Sequence, residues 1–76
     1  TTIKYDLPEK SDVSITVYDI NGKEVNQLEK RIHEAGQKSI RWDGTNFNGE
    51  SVSAGMYIYR ISAGSFHSVK KMILLK

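Results

Sequence analysis

The chain has no cysteine and a single proline, and none of its apolar runs approaches the length of a bilayer span. Without cysteine there is no disulfide staple, no thiolate to hold a structural metal and no thiol nucleophile. The lack of a run of roughly 20 apolar residues argues against membrane insertion as a helix. Charge of one sign is scarce too: 11 Lys and Arg face nine Asp and Glu, a net charge of +2. Lys70, Lys71 and Lys76 give the C-terminal end a basic bias. That is not the concentrated basic face with aromatic platforms that nucleic-acid binding uses. At 76 residues the chain is expected to be one small domain, 1–76, near the lower limit for a core that stands without staples. It begins with Thr1 and shows no signal peptide, so it reads as a segment of a longer protein. Stability has to come from a compact apolar core and backbone ladders.

What the sequence does hold is strand. The run from Trp42 to Ile61, WDGTNFNGESVSAGMYIYRI, organises the rest. Tyr57, Tyr59 and Ile61 alternate with Met56, Ile58 and Arg60, the period-2 pattern of a half-buried strand. Asp43-Gly44 and Asn48-Gly49 supply the positive φ of a tight reversal. Upstream, Ile3, Tyr5 and Leu7 alternate in a first strand, Thr2–Leu7, which Pro8 ends. Val13, Ile15 and Val17 form the inner face of a second.

The Asp19 to Lys23 segment closes a hairpin. A three-residue loop of Ile20, Asn21 and Gly22, with Gly22 left-handed, pairs Asp19 with Lys23 and sets Val25 opposite Val17. A two-residue loop would turn Val25 to the wrong face. A third strand, Glu24–Leu28, follows. Glu29–Gly36 has apolar residues at helical spacing but is too short for an isolated helix, and is expected to be an irregular edge segment. Gln37–Trp42, a short Ser51-Val52 strand, Met56–Ser62 and Phe66–Leu75 complete the set, with Ala63-Gly64-Ser65 as a turn. In the last strand Val69, Lys71, Ile73 and Leu75 oppose Lys70, Met72 and Leu74. An apolar end on both faces implies a strand that is central, or one that another chain or domain also covers. About seven short strands and no clear helix make an all-β, antiparallel sandwich.

Few residues invite chemistry. Asp43, Asn46, Asn48 and Glu50 offer oxygens, but not at EF-hand spacing, and side chains of this type commonly shape turns. His33 and His67 have no second ligand at metal-binding spacing. Ser39, Ser65 and Ser68 lack a nucleophile elbow, and so small a domain has little room for a pocket as well as a core. No catalytic group, metal or cofactor is expected, and the chain reads as a non-enzyme. Trp42, Tyr57 and Tyr59 have two readings: core and rim packing, or an exposed platform for sugars. The pair Lys70-Lys71, followed by Met72, Ile73, Leu74 and Leu75, also has two. The lysines protect an edge strand from adding to another sheet, or they steer a partner to which the strand adds.

The order of blocks TTIKYDLPEKSDVSITVYDINGKEV, IRWDG, NGESVSAGMYIYRISAG and KKMILLK resembles two related families. One is the type IX secretion system C-terminal sorting domain (type A); the other is the immunoglobulin-like domain of the flagellar hook-capping protein. The opening and the ending are more similar to the sorting domain. The long WDGTNFNGESV loop is nearer to the hook-cap type. The resemblance implies a small antiparallel immunoglobulin-like β-sandwich forming the C-terminal module of a larger secreted protein, secreted or at the cell surface. Its partners would be secretion machinery proteins, with Lys70, Lys71, Met72, Ile73, Leu74 and Leu75 as the contact residues. A structural assembly domain of the hook-cap type is the alternative, and a carbohydrate-binding accessory module a third.

Overall fold

The computed structural model describes residues 1–75; Lys76, the last cation of the KKMILLK ending, lies outside the described residues. Six strands follow one another: β1 (Thr2–Leu7), β2 (Ser11–Tyr18), β3 (Glu24–His33), β4 (Gly36–Arg41), β5 (Gly55–Ala63) and β6 (Phe66–Leu74). They form two antiparallel sheets, β1-β4 and β3-β2-β5-β6. This is the expected small immunoglobulin-like sandwich.

The core lies between the sheets. Alternation places Ile3 and Leu7 of β1 over Val13, Ile15 and Val17 of β2 and Tyr57 and Ile61 of β5, all buried. Two strands alone make a marginal sheet. Here β1-β4 is held by the apolar surface it covers and by the chain at its end, where the Trp42 amide donates to the Thr1 carbonyl at 2.8 Å. Burial of the five largest enclosed side chains, Trp42, Ile3, Ile15, Val13 and Val17, stabilises by about 1.5–3 kcal/mol each on the area-transfer scale.

Several expectations need correction. The described residues hold six strands, not about seven, because Ser51-Val52 contributes only an isolated bridge, Thr45 to Ser51. The segment from Glu29 to His33 is not irregular: it continues β3 and pairs with β2 as far as Ser11–His33. The hairpin has its three-residue loop, with Gly22 at φ 85° and the Asp19 amide donating to the Lys23 carbonyl at 2.9 Å. Its register then breaks one pair later. Tyr18 faces Glu24, but Val17 faces Asn26, so Val25 is the extra residue of a β-bulge. A second shift leaves Leu28 unpaired between Thr16–Gln27 and Ile15–Glu29. Finally, β6 is not central but is an edge strand, and Leu75, whose position suggested the core, is 82% exposed.

Candidate functional site

β6 is where sequence and structure both leave something unexplained. It pairs with β5 in one unbroken register, from Gly55–Leu74 to Ala63–Phe66. Beyond β6 the four-stranded sheet has no further strand among the described residues. Met72 and Leu74 turn into the core and are buried. Leu74 is also held by the loop above it, since a methyl group on Gly44 would stand only 3.1 Å from one of its Cδ atoms. Lys70 belongs to this inner row, beyond the part that the smaller sheet covers, and is exposed. On the outer row Val69 and Ile73 are 63% and 53% exposed, with Lys71 between them. Thus of the six candidate contact residues, Lys70, Lys71, Ile73 and Leu75 are available to a partner, whereas Met72 and Leu74 belong to the core.

The aromatic candidates resolve differently. Trp42 is 1% exposed and meets Tyr57 edge to face, with ring centroids 5.0 Å apart. Its indole N–H donates to the Thr45 carbonyl at 2.9 Å, and the Tyr57 hydroxyl donates to the Ser53 carbonyl at 2.6 Å. With both rings inside, no Trp42–Tyr57 platform faces solvent; of the three aromatic candidates only Tyr59, half-buried, reaches the surface.

The polar residues of the long loop are occupied in building it. The Asn46 side-chain oxygen accepts the amides of Asn48 and Glu50 at 2.9 and 3.0 Å. The Asn26 side-chain amide, on the bulged part of β3, donates to the carbonyls of Thr45 and Asn46 at 2.9 and 3.3 Å. The Thr45 hydroxyl donates to Asp43 at 2.6 Å and holds its carboxyl below the usual range. Among the described residues there is no group of three His, Asp or Glu arranged for a metal ion. This is turn construction.

The histidines sit apart. His33 is 3.1 Å from Glu29, and Arg31 lies beside both, at 3.5 Å from the carboxylate and 3.3 Å from the imidazole. Tyr5 of β1 feels this group. Burial, and then the Glu29 charge, raise its hydroxyl pKa above 10.0. His67 shares a 3.1 Å hydrogen bond with Ser62, across the β5-β6 ladder, rather than with Ser65 or Ser68. Sequence reasoning missed a shallow groove of about 250 Å³ between β1 and β6. Tyr5, Tyr59 and Phe66 line it together with Lys4, Asp6 and Lys70. The signal available was the inward row Phe66, Ser68, Lys70, which outruns the two-stranded sheet opposite.

The fold defines a small immunoglobulin-like sandwich of two antiparallel sheets, with β6 on an open edge of the larger one. The chain belongs to the FlgD Ig-like domain family, whose model matches residues 1–65. Among solved structures it is similar to FLGD from P. aeruginosa, with 29% identity over 97% of this chain and a TM-score of 0.68. The chain spans 61% of that protein's chain. No curated protein matches it. The immunoglobulin-like relation to the hook-capping protein is therefore supported. A sorting-domain identity is not, and the family match ends before β6 begins.

Proposed function

We propose that this domain is a non-catalytic structural module of the hook-cap type, one that holds parts of a larger assembly together through its surface. The observation that carries the reading is the family match over residues 1–65, and the structural likeness to FLGD over nearly the whole chain supports it. The interior of the domain is filled by side chains, and the polar groups that might have formed a site instead shape the loop after Trp42. A chimera tests this. The matching segment of P. aeruginosa FLGD is replaced by this chain, and hook formation is scored by electron microscopy against a deletion of the same segment. The chimera should restore hooks that the deletion lacks. A chimera that accumulates in folded form, by protease resistance, yet makes no hooks would defeat the proposal.

One observation favours a second reading. The KKMILLK ending, which resembles a sorting signal, follows the segment that the family model covers. In that reading the domain is the C-terminal module of a secreted or surface protein, and β6 is read by secretion machinery. Fusion to the C-terminus of an exported reporter, in a host with type IX machinery, should carry the reporter across the outer membrane. Retention of the intact fusion in the periplasm would eliminate this reading. Loss of export in a folded Lys70→Glu, Lys71→Glu variant would point to the lysines as part of the signal.

A further inference from the structure

We infer that the free edge of β6 takes up an extended, acidic strand from another protein and extends the four-stranded sheet by one. The inference rests on reading β6 as a contact strand and adds the chemistry of what it contacts.

The two edges of this sheet are not alike. β3 is interrupted by bulges at Val25 and Leu28, a device that twists an edge away from a regular partner. β6 has no such break along its nine residues. Its exposed outer row alternates Val69, Lys71 and Ile73, and the neighbouring β5 adds the exposed Met56 opposite Ile73. An unbulged edge with exposed apolar side chains is a template for strand addition.

Charge selects the occupant. All nine acidic residues of the chain lie at or before Glu50. Residues 51–76 hold Arg60, Lys70, Lys71 and Lys76 and no acid at all. The β5-β6 half of the sheet therefore carries cations and no acid; the acids lie on β2, β3 and the loops and, at Asp6, on β1, which shares a groove with Lys70. Opposite charges across a strand pair stabilise it, and like charges directly opposite destabilise it.

This disfavours a second copy of the chain on the same edge. A full-length antiparallel pairing of β6 with itself centres on Lys70. It sets the two Lys70 side chains opposite each other, with the two Lys71 on the adjoining diagonal. Head-to-tail growth onto β3 of another copy would bring acids such as Glu24 and Glu29, but the two bulges spoil the ladder there. A strand from a different protein, alternating acidic with apolar residues so that acids face Lys70 and apolar side chains cover Val69 and Ile73, meets both requirements.

The test uses the whole domain and two peptides matched in length to the nine-residue β6. One alternates Val with Glu and the other Val with Lys. Binding is followed by amide chemical shifts. The Glu peptide should perturb β6 amides and leave β3 unchanged, and the Lys peptide should bind at least about tenfold more weakly. Lys70→Glu with Lys71→Glu, shown to melt like the parent, should reverse that preference. Methylating alternate peptide nitrogens on the ladder-forming edge should abolish binding, because an added strand depends on its backbone hydrogen bonds. Equal binding of the methylated Glu peptide would overturn strand addition and leave only charge attraction. Shifts on β6 from both peptides alike would overturn the acidic preference while preserving β6 as a contact strand. If neither peptide touches β6, the inference and the contact-strand reading are overturned together.

Discussion

Trp42→Ala is the change to which this domain should be most sensitive. The side chain is 1% exposed, at the point where β4 leads into the long loop, and it lies edge to face on Tyr57 at 5.0 Å. Truncating a large buried aromatic costs about 3–5 kcal/mol in lost transfer energy and cavity. The edge-to-face pair contributes about 0.5–1.5 kcal/mol beyond area. The lost indole hydrogen bond matters less, because the Thr45 carbonyl it serves keeps the Asn26 amide at 2.9 Å and is not orphaned. A domain of this length has about 4–11 kcal/mol of stability in total, at roughly 0.05–0.15 kcal/mol per residue. Trp42→Ala should therefore remove about half of it or more.

Trp42→Phe separates the terms. It keeps a ring against Tyr57 but gives up the N–H and part of the volume, at about 1–2 kcal/mol. The corresponding drop in Tm is about 5–15 °C for a domain this small. Trp42 is the only tryptophan, so both variants lose the fluorophore. Urea unfolding followed by far-ultraviolet circular dichroism is the suitable assay. If Trp42→Ala unfolds cooperatively within about 1 kcal/mol of the parent, the core is not built around this residue, and an aromatic surface would have to be reconsidered.

Four further outcomes are expected. Gly22→Val should cost about 1–2 kcal/mol by thermal unfolding from backbone strain alone, since φ is 85° and no atom lies within 4 Å of the new Cβ. Gly44→Ala should cost more than Gly22→Ala, because at φ 78° its methyl also presses on Leu74 at 3.1 Å. Tyr5 has its pKa raised by burial, so its contribution to stability is complete below the unfolded value of 10.0 and is lost as pH rises through the folded value. Melting curves taken from about pH 9 to pH 11 should show Tyr5→Phe losing less stability than the parent across that window. Thr45→Val removes the hydroxyl that holds the Asp43 carboxyl low, and a carboxyl NMR titration should show that pKa moving up.

How much of this was legible depended on which strands obey a simple period. In β1, β2 and β5 one face is buried or half-buried along its length, so alternation such as Ile3-Leu7 or Val13-Ile15-Val17 maps directly onto the core. β3 does not follow the rule. Val25 and Leu28 are three apart, which in a regular strand would place them on opposite faces. The irregular register of β3, with bulges at Val25 and Leu28, lets both face the core. From the sequence, that spacing, continued to Ile32 and Ala35, is indistinguishable from one face of a helix. β6 was misjudged for the opposite reason: its alternation is regular, but which of its apolar residues are covered depends on the other sheet. Because a second sheet covers β6 on one face only, the core claims Met72 and Leu74, and Val69, Ile73 and Leu75 are left to solvent. A two-faced apolar pattern with one face left uncovered is costly on an isolated domain, and a regular edge beside it adds an aggregation hazard. Both costs fall if a partner occupies that edge, and for this reason the strand that the sequence offered either as central or as covered by another chain is the one on which a binding test should focus.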